Sequence, residues 1–180
     1  RLRAYSVLTD GTSTIFSGSP RWIWTTKNIG DRGTACFRRT FTIGEKPKKA
    51  RLRITCDNGY HLYVNGESMA EESGPGTGIW STVEEVDITD QLHRGRNVIA
   101  VKGVHFGTAA GLLAELHVTF SSGMEMTLAT NGEWLCSAEA PDDWEKSGFD
   151  DTGWKQPVEI APLGGGPWAG QRLRLRRADQ

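Results

Sequence analysis

Asp57-Asn58-Gly59-Tyr60-His61-Leu62-Tyr63-Val64-Asn65-Gly66 holds one short alternating strand between two Asn-Gly pairs, and its reading decides the fold. Asn-Gly is a strong hairpin signal because both residues tolerate the positive φ of a type I′ turn. Upstream, Ala50-Arg51-Leu52-Arg53-Ile54-Thr55-Cys56 alternates, with Leu52 and Ile54 on one face and the arginines on the other. Past the first turn, Tyr60, Leu62 and Val64 share a face, while His61 and Tyr63 share the opposite one. The stretch reads as a β-hairpin at Asp57-Asn58-Gly59, followed by a second turn, Asn65-Gly66, that opens a long loop to Val83.

The same alternation recurs outward. Phe37 to Ile43, Val83 to Ile88, Asn97 to Lys102, Leu112 to Phe120 and Met124 to Leu128 all carry strand patterns, with Ser121-Ser122-Gly123 as a hairpin turn. Arg1 to Tyr5 and Arg172 to Arg176 alternate too, and either suits an edge strand. Helix signals are weak. Thr89 to Leu92 makes at most one turn before Gly95, and Asp142-Asp143-Trp144 and Asp150 to Trp154 read as acidic turns. With 22 glycines among 180 residues, many short strands and no long helix, the fold expected is an all-β jelly-roll β-sandwich with antiparallel sheets. The whole of 1–180 reads as a single domain in which 156–180 is a connector and possible edge strand.

Hydrophobic content of 37% and charged content of 24% are ordinary for a globular chain. A net charge of −1 gives no reason to expect nucleic acid as a partner, and no apolar run long enough for a membrane helix occurs. The locally basic Lys46 to Arg53 reads as a solvated turn and strand. The chain starts at Arg1 without a leader pattern, from which a processed form or an excised domain is expected. Cys36, Cys56 and Cys136 lack Cys-x-x-Cys spacing, leaving open either a Cys36–Cys56 disulfide or three buried free thiols.

Trp22-Ile23-Trp24, Phe37 to Ile43, Asp57 to Gly66, Val86-Asp87-Ile88-Thr89 with Leu92 and Gly95-Arg96-Asn97, and Phe149 to Trp154 resemble the galactose-binding-like jelly roll. That domain type is attached to bacterial alpha-L-rhamnosidases and to β-galactosidase-like hydrolases. The resemblance covers about 20–155. It implies a larger secreted bacterial parent, an extracellular or periplasmic location, contact with other domains of that parent, and carbohydrate as ligand. Calcium is common in related jelly rolls, so a structural calcium is an expectation of the resemblance, though no ordered Asp/Asn run specifies it.

Catalytic chemistry finds little support. Glu71-Glu72, Glu84-Glu85, Asp142-Asp143 and Asp150-Asp151 are adjacent pairs, and neighbours on a strand face opposite ways. His61, His93, His105 and His117 are scattered, no nucleophile elbow occurs, and Gly74 to Gly78 lacks the Lys-Ser/Thr of a phosphate loop. If consecutive strands simply alternate, the connections 44–50, 65–83, 102–111 and 129–133 share one end, and the Asp57 turn lies at the other. Long loops on a rigid sandwich carry recognition. Trp80, His105 and Phe106 are therefore the candidate ligand contacts, with Glu71 and Glu72 as polar or ion-binding partners. A sugar-free structural or protein-interaction module and an independent hydrolase are the competing readings.

Overall fold

A computed structural model describes residues 15–72 and 79–177. Its strands are β1 (Arg21–Trp24), β2 (Gly33–Ile43), β3 (Pro47–Asp57), β4 (Gly59–Val64), β5 (Glu67–Glu72), β6 (Thr82–Asp87), β7 (Gly95–His105), β8 (Gly111–Phe120), β9 (Glu125–Ala129), β10 (Leu135–Ser137), β11 (Val158–Pro162) and β12 (Arg174–Arg177). Two 3₁₀ turns, Ile79–Ser81 and Gly166–Trp168, are the helical pieces among the described residues, so no described helix is long and apolar enough to cross a membrane. One sheet runs β11-β1-β8-β3-β6-β12 with β9 added to β8, and the other runs β10-β2-β7-β4-β5. The β-sandwich is as expected, with one departure: β12 joins β6 in parallel. The Arg1 to Tyr5 strand pattern and the Gly74 to Gly78 loop lie outside the described residues.

The expected hairpin at Asp57-Asn58-Gly59 does not form. β3 has both edges occupied, by β6 and β8, while β4 pairs with β5 and β7 in the opposite sheet. The chain crosses between sheets there, through a cis Asp57–Asn58 peptide. The reason is in the side chains. Leu52, Ile54 and Cys56 on β3 and Tyr60, Leu62 and Val64 on β4 all belong to the one core between the sheets. A hairpin would lay both apolar rows on one sheet; a crossover sets them face to face.

The second Asn-Gly is the true hairpin turn, between β4 and β5, rather than the mouth of a long loop. Asn65 and Gly66 take φ of 51° and 86°, the two positive values a type I′ turn demands. The Asn65 side chain is also a connector. Its Nδ2 donates to Gln91 O at 2.8 Å and to Asn97 Oδ1 at 2.9 Å, while its Oδ1 accepts from Val98 N at 2.9 Å.

Cover for the outer faces comes from the later part of the chain. Outside the β2-β7 sheet, Trp144 packs on Cys36 and Ala100, with Tyr63, Phe149 and Trp154 around them. Arg38 alternates with Phe37 and shares its strand face with Thr40 and Thr42, a polar pattern, yet it is 1% exposed beneath that cover. Its guanidinium donates to Asp151 at 2.9 Å, to Lys146 O at 3.0 Å and to Trp144 O, and it lies 5.1 Å from the Phe149 ring centroid. Outside the other sheet, Trp168 stacks on Trp22 with centroids 4.0 Å apart, over Val83, Leu113 and Leu173. All three cysteines are buried free thiols, and burial raises Cys36 and Cys136 to about 11.

Arg38→Ala removes one partner of a buried pair and is expected to destabilise the fold by about 3 kcal/mol or more. Arg51→Ala breaks the partly exposed Arg51–Asp87 pair, whose carboxylate stays in solvent, and should cost about 1 kcal/mol, well below Arg38→Ala. Urea denaturation of both variants checks this contrast.

Candidate functional site

Strand register places the loops. Gly33 pairs with His105, Asp57 with Gly111, and Tyr60 with Glu72, so these strand ends gather at one end of the sandwich. Connections 25–32 and 106–110, the Asp57–Gly59 crossover and the chain leaving Glu72 all start there. The opposite end carries 44–46, Asn65–Gly66, 88–94 and 121–124, since Ile43 pairs with Gly95 and Pro47 with Phe120. The Asp57 turn therefore shares an end with the nominated loops, contrary to simple alternation. The error came from β5: one unrecognised strand reverses the count.

At this end His105 is 3% exposed, its ring 5.7 Å from Trp24 in an edge-on contact. Its Nδ1 accepts from Gly107 N at 3.3 Å, and a Cβ on Gly33 would sit 2.8 Å from its Nε2. His105 thus braces the 106–110 loop from beneath, and burial holds its pKa below the ordinary imidazole value. Phe106 is half-buried, tied to the crossover by its N–H, which donates to Asn58 Oδ1 at 2.8 Å. The Arg32 guanidinium lies 4.8 Å from the Phe106 ring centroid. Trp80 is half-buried against the cluster that contains Trp168, and its carbonyl accepts from Thr55 Oγ1 at 2.9 Å.

Glu71 and Glu72 separate. They sit opposite His61 and Tyr60 respectively, so they face opposite sides of β5. Glu72 binds Arg176, whose Nη2 also lies 3.5 Å from Glu84 Oε2. Tyr60 donates its hydroxyl to Glu84 at 2.5 Å, and burial followed by the Glu84 contact pushes the phenol's pKa upward. Two carboxylates do meet here, as a hydrolase would need, but an arginine occupies the space between them. This is an ion-pair clamp on the sandwich edge.

The residue that sequence reasoning missed is Asp57. Buried carboxylates persist when they are paired or fully hydrogen-bonded. Glu85 has Arg53 at 2.7 Å. Glu115 accepts from Ser17 N, Ser17 Oγ and Gly18 N at 2.9, 2.9 and 2.7 Å. Asp57, at 7% exposure, accepts from the neutral Trp168 Nε1–H at 3.0 Å. Burial pushes its pKa above the ordinary carboxylate range, and the indole bond offsets only part of that rise. Nothing in the local sequence marks it, because its partner is 111 positions away.

Trp168 reaches Asp57 across Gly111, where a Cβ would lie 2.6 Å from the Trp168 ring and 2.9 Å from Trp22. Only glycine leaves room for that approach. Calcium takes six to eight oxygens. Among the described residues no three His, Cys, Asp or Glu side chains converge. Asp57 is a buried carboxylate at this end that suits a hard cation, and the remaining oxygens would have to come from neighbours such as Asn58, Asp31 on the 25–32 connection and the main chain.

No family model matches the chain. It is 31% identical over 157 residues to an alpha-L-rhamnosidase of Streptomyces avermitilis, an alignment covering 82% of this chain and 15% of that enzyme. It is 23% identical over 164 residues to an alpha-L-rhamnosidase of Formosa agariphila, covering 71% of this chain and 18% of the enzyme. The chain therefore spans less than a fifth of the curated relatives it matches. The solved structure of the Streptomyces avermitilis enzyme with L-rhamnose superposes with a TM-score of 0.78 at 28% identity, over 88% of this chain and 16% of that one. A lectin from Pleurotus ostreatus, solved with GalNAc, superposes with a TM-score of 0.76 at 26% identity, over 86% of this chain and 45% of that one.

Asp57 and His105 act in opposite pH windows. A carboxyl with a raised folded pKa favours the fold while protonated, and that contribution is lost as pH rises past about 3.9 through the folded value. A histidine with a lowered folded pKa favours the fold above about 6.5 and loses that contribution as pH falls. Asp57→Asn keeps an acceptor for Trp168 without the charge. Denaturation curves should show it more stable than the native chain at about pH 7, with the difference gone at about pH 3.

Proposed function

We propose that this chain, a galactose-binding-like β-sandwich domain of the type carried by alpha-L-rhamnosidases, is a non-catalytic module that binds carbohydrate. In this reading it holds a larger, secreted bacterial glycoside hydrolase on its polysaccharide, in the extracellular space or periplasm. The supporting observation is Asp57, a buried carboxylate with no cationic partner among the described residues, at the end that gathers Asn58, Phe106 and Trp80. A sugar hydroxyl can donate to such a carboxylate in a charge-assisted bond, while aromatic rims cover the apolar faces of a pyranose. The saccharide complexes of the rhamnosidase and the lectin support carbohydrate as the ligand class.

One observation favours a purely structural module instead. Of seven tryptophans, Trp22, Trp24, Trp134, Trp144 and Trp168 are buried, and only Trp80 and Trp154 are half-exposed. Affinity gel electrophoresis in a panel of soluble plant and bacterial polysaccharides separates the two readings. At least one polysaccharide should retard the native chain. Asp57→Asn should weaken that retention about tenfold or more, and Trp80→Ala should weaken it as well. A native chain that no polysaccharide retards leaves the structural module standing.

A further inference from the structure

A groove of about 370 Å³ lies along the β10 edge; it borrows Thr25 and Thr26 from the 25–32 connection but includes none of Asp57, Asn58, Trp80, His105 and Phe106. Thr25 and Thr26 line it from the strand-end after β1, Ser137 from β10, and Trp154, Lys155 and Gln156 from the segment that covers the β2-β7 sheet. Its size lies in the range of small-ligand pockets, about 300 to 1,000 Å³, and admits a pyranose ring.

The wall is rigid. Cys136 N donates to Lys155 O at 2.7 Å and Lys155 N donates back to Cys136 O at 3.1 Å, clamping the Trp154 segment onto β10. Trp154 is half-buried, stacked at 6.0 Å and 20° on Trp144 and edge-on at 5.8 Å to Phe149. An aromatic ring held this way costs little ordering entropy when a ligand lands on it. Its indole N–H, like that of the buried Trp22, has no acceptor among the described residues, and at the half-buried Trp154 it lies beside the groove.

The hydroxyls are oriented in a complementary way. Thr26 Oγ1 accepts Asn28 N–H at 3.1 Å, and Ser137 Oγ accepts Glu139 N–H at 3.1 Å. Each therefore has its own proton left to donate. Gln156, exposed at the rim, brings both a donor and an acceptor. A ring platform beside several neutral hydrogen-bonding groups, with one solvated lysine, fits a neutral polyhydroxylated ring better than an anion.

We propose that this groove is a second saccharide site, taking one neutral pyranose unit with its C–H face on Trp154 and its hydroxyls on Ser137, Thr26 and Gln156. The proposal rests on the reading of the chain as a carbohydrate binder. It adds a contact on a different edge, so that one module could hold a polysaccharide at two points and gain by avidity.

The test follows indole N–H resonances by heteronuclear NMR while L-rhamnose, galactose and N-acetylgalactosamine are titrated in turn. The Trp154 resonance should shift with at least one sugar and keep shifting in Asp57→Asn. Ser137→Ala, on β10, and Gln156→Ala, at the rim, should weaken the affinity reported by Trp154 about three- to tenfold while leaving the other indole resonances unchanged. A Trp154 resonance that none of the three sugars moves, or one whose shift vanishes in Asp57→Asn, overturns the second site. Polysaccharide retention lost on Asp57→Asn would then leave the proposed function intact, so the two readings fail separately.

Discussion

β7 and β8 are buried on both faces over much of their length, and the rest of the structure answers to that. Asn97 to Val101 on β7 and Gly111 to Leu116 on β8 are buried without a break. A sandwich core covers only one face of each sheet. Uncovered, the other faces would leave Ala100 and Leu113 in water, at about 25 cal/mol for every Å² of apolar area. The chain resolves this by wrapping. Residues 141–155 cover one sheet, and 163–173 with Ile15 and Phe16 cover the other, each cover anchored by tryptophan.

The two covers differ in how they are fastened. Over the β2-β7 sheet the fastening is ionic: Arg38 is buried beneath partly exposed partners, and its planar fork satisfies a carboxylate and two carbonyls at once. Over the other sheet it is aromatic, the Trp22–Trp168 stack seated on a glycine. The second fastening has a chemical consequence. It brings Trp168 over the crossover and buries Asp57 without supplying a countercharge. With both faces closed, the ends and edges are the surfaces left for recognition.

Much of this was legible along the chain. Leu52 and Ile54, and Tyr60, Leu62 and Val64, alternate as the strands require, and each row lies in the core. Asn65-Gly66 forms the type I′ turn its residues favour, and Ser121 to Gly123 joins β8 to β9 as a hairpin. Other features were misread from the same signals. Asn58-Gly59 carries an identical turn signature yet crosses between sheets. Arg38 carries the pattern of a solvent-facing residue yet is buried. Of the nominated site, Trp80, His105 and Phe106 do share one end, while Glu71 and Glu72 part to opposite faces.

The division follows the range of the forces. Strand alternation, the Asn65-Gly66 turn and the all-β class are decided by φ preferences and side-chain period within a few residues, so the sequence by itself determined them. Which sheet receives β4, what lies over Arg38, and why Asp57 is buried without a partner charge depend on residues tens to more than a hundred positions away. The double Asn-Gly stretch contains both cases, because one Asn-Gly obeys its local turn preference while the other yields to two apolar rows that must meet across the core. Only the tertiary structure could decide that.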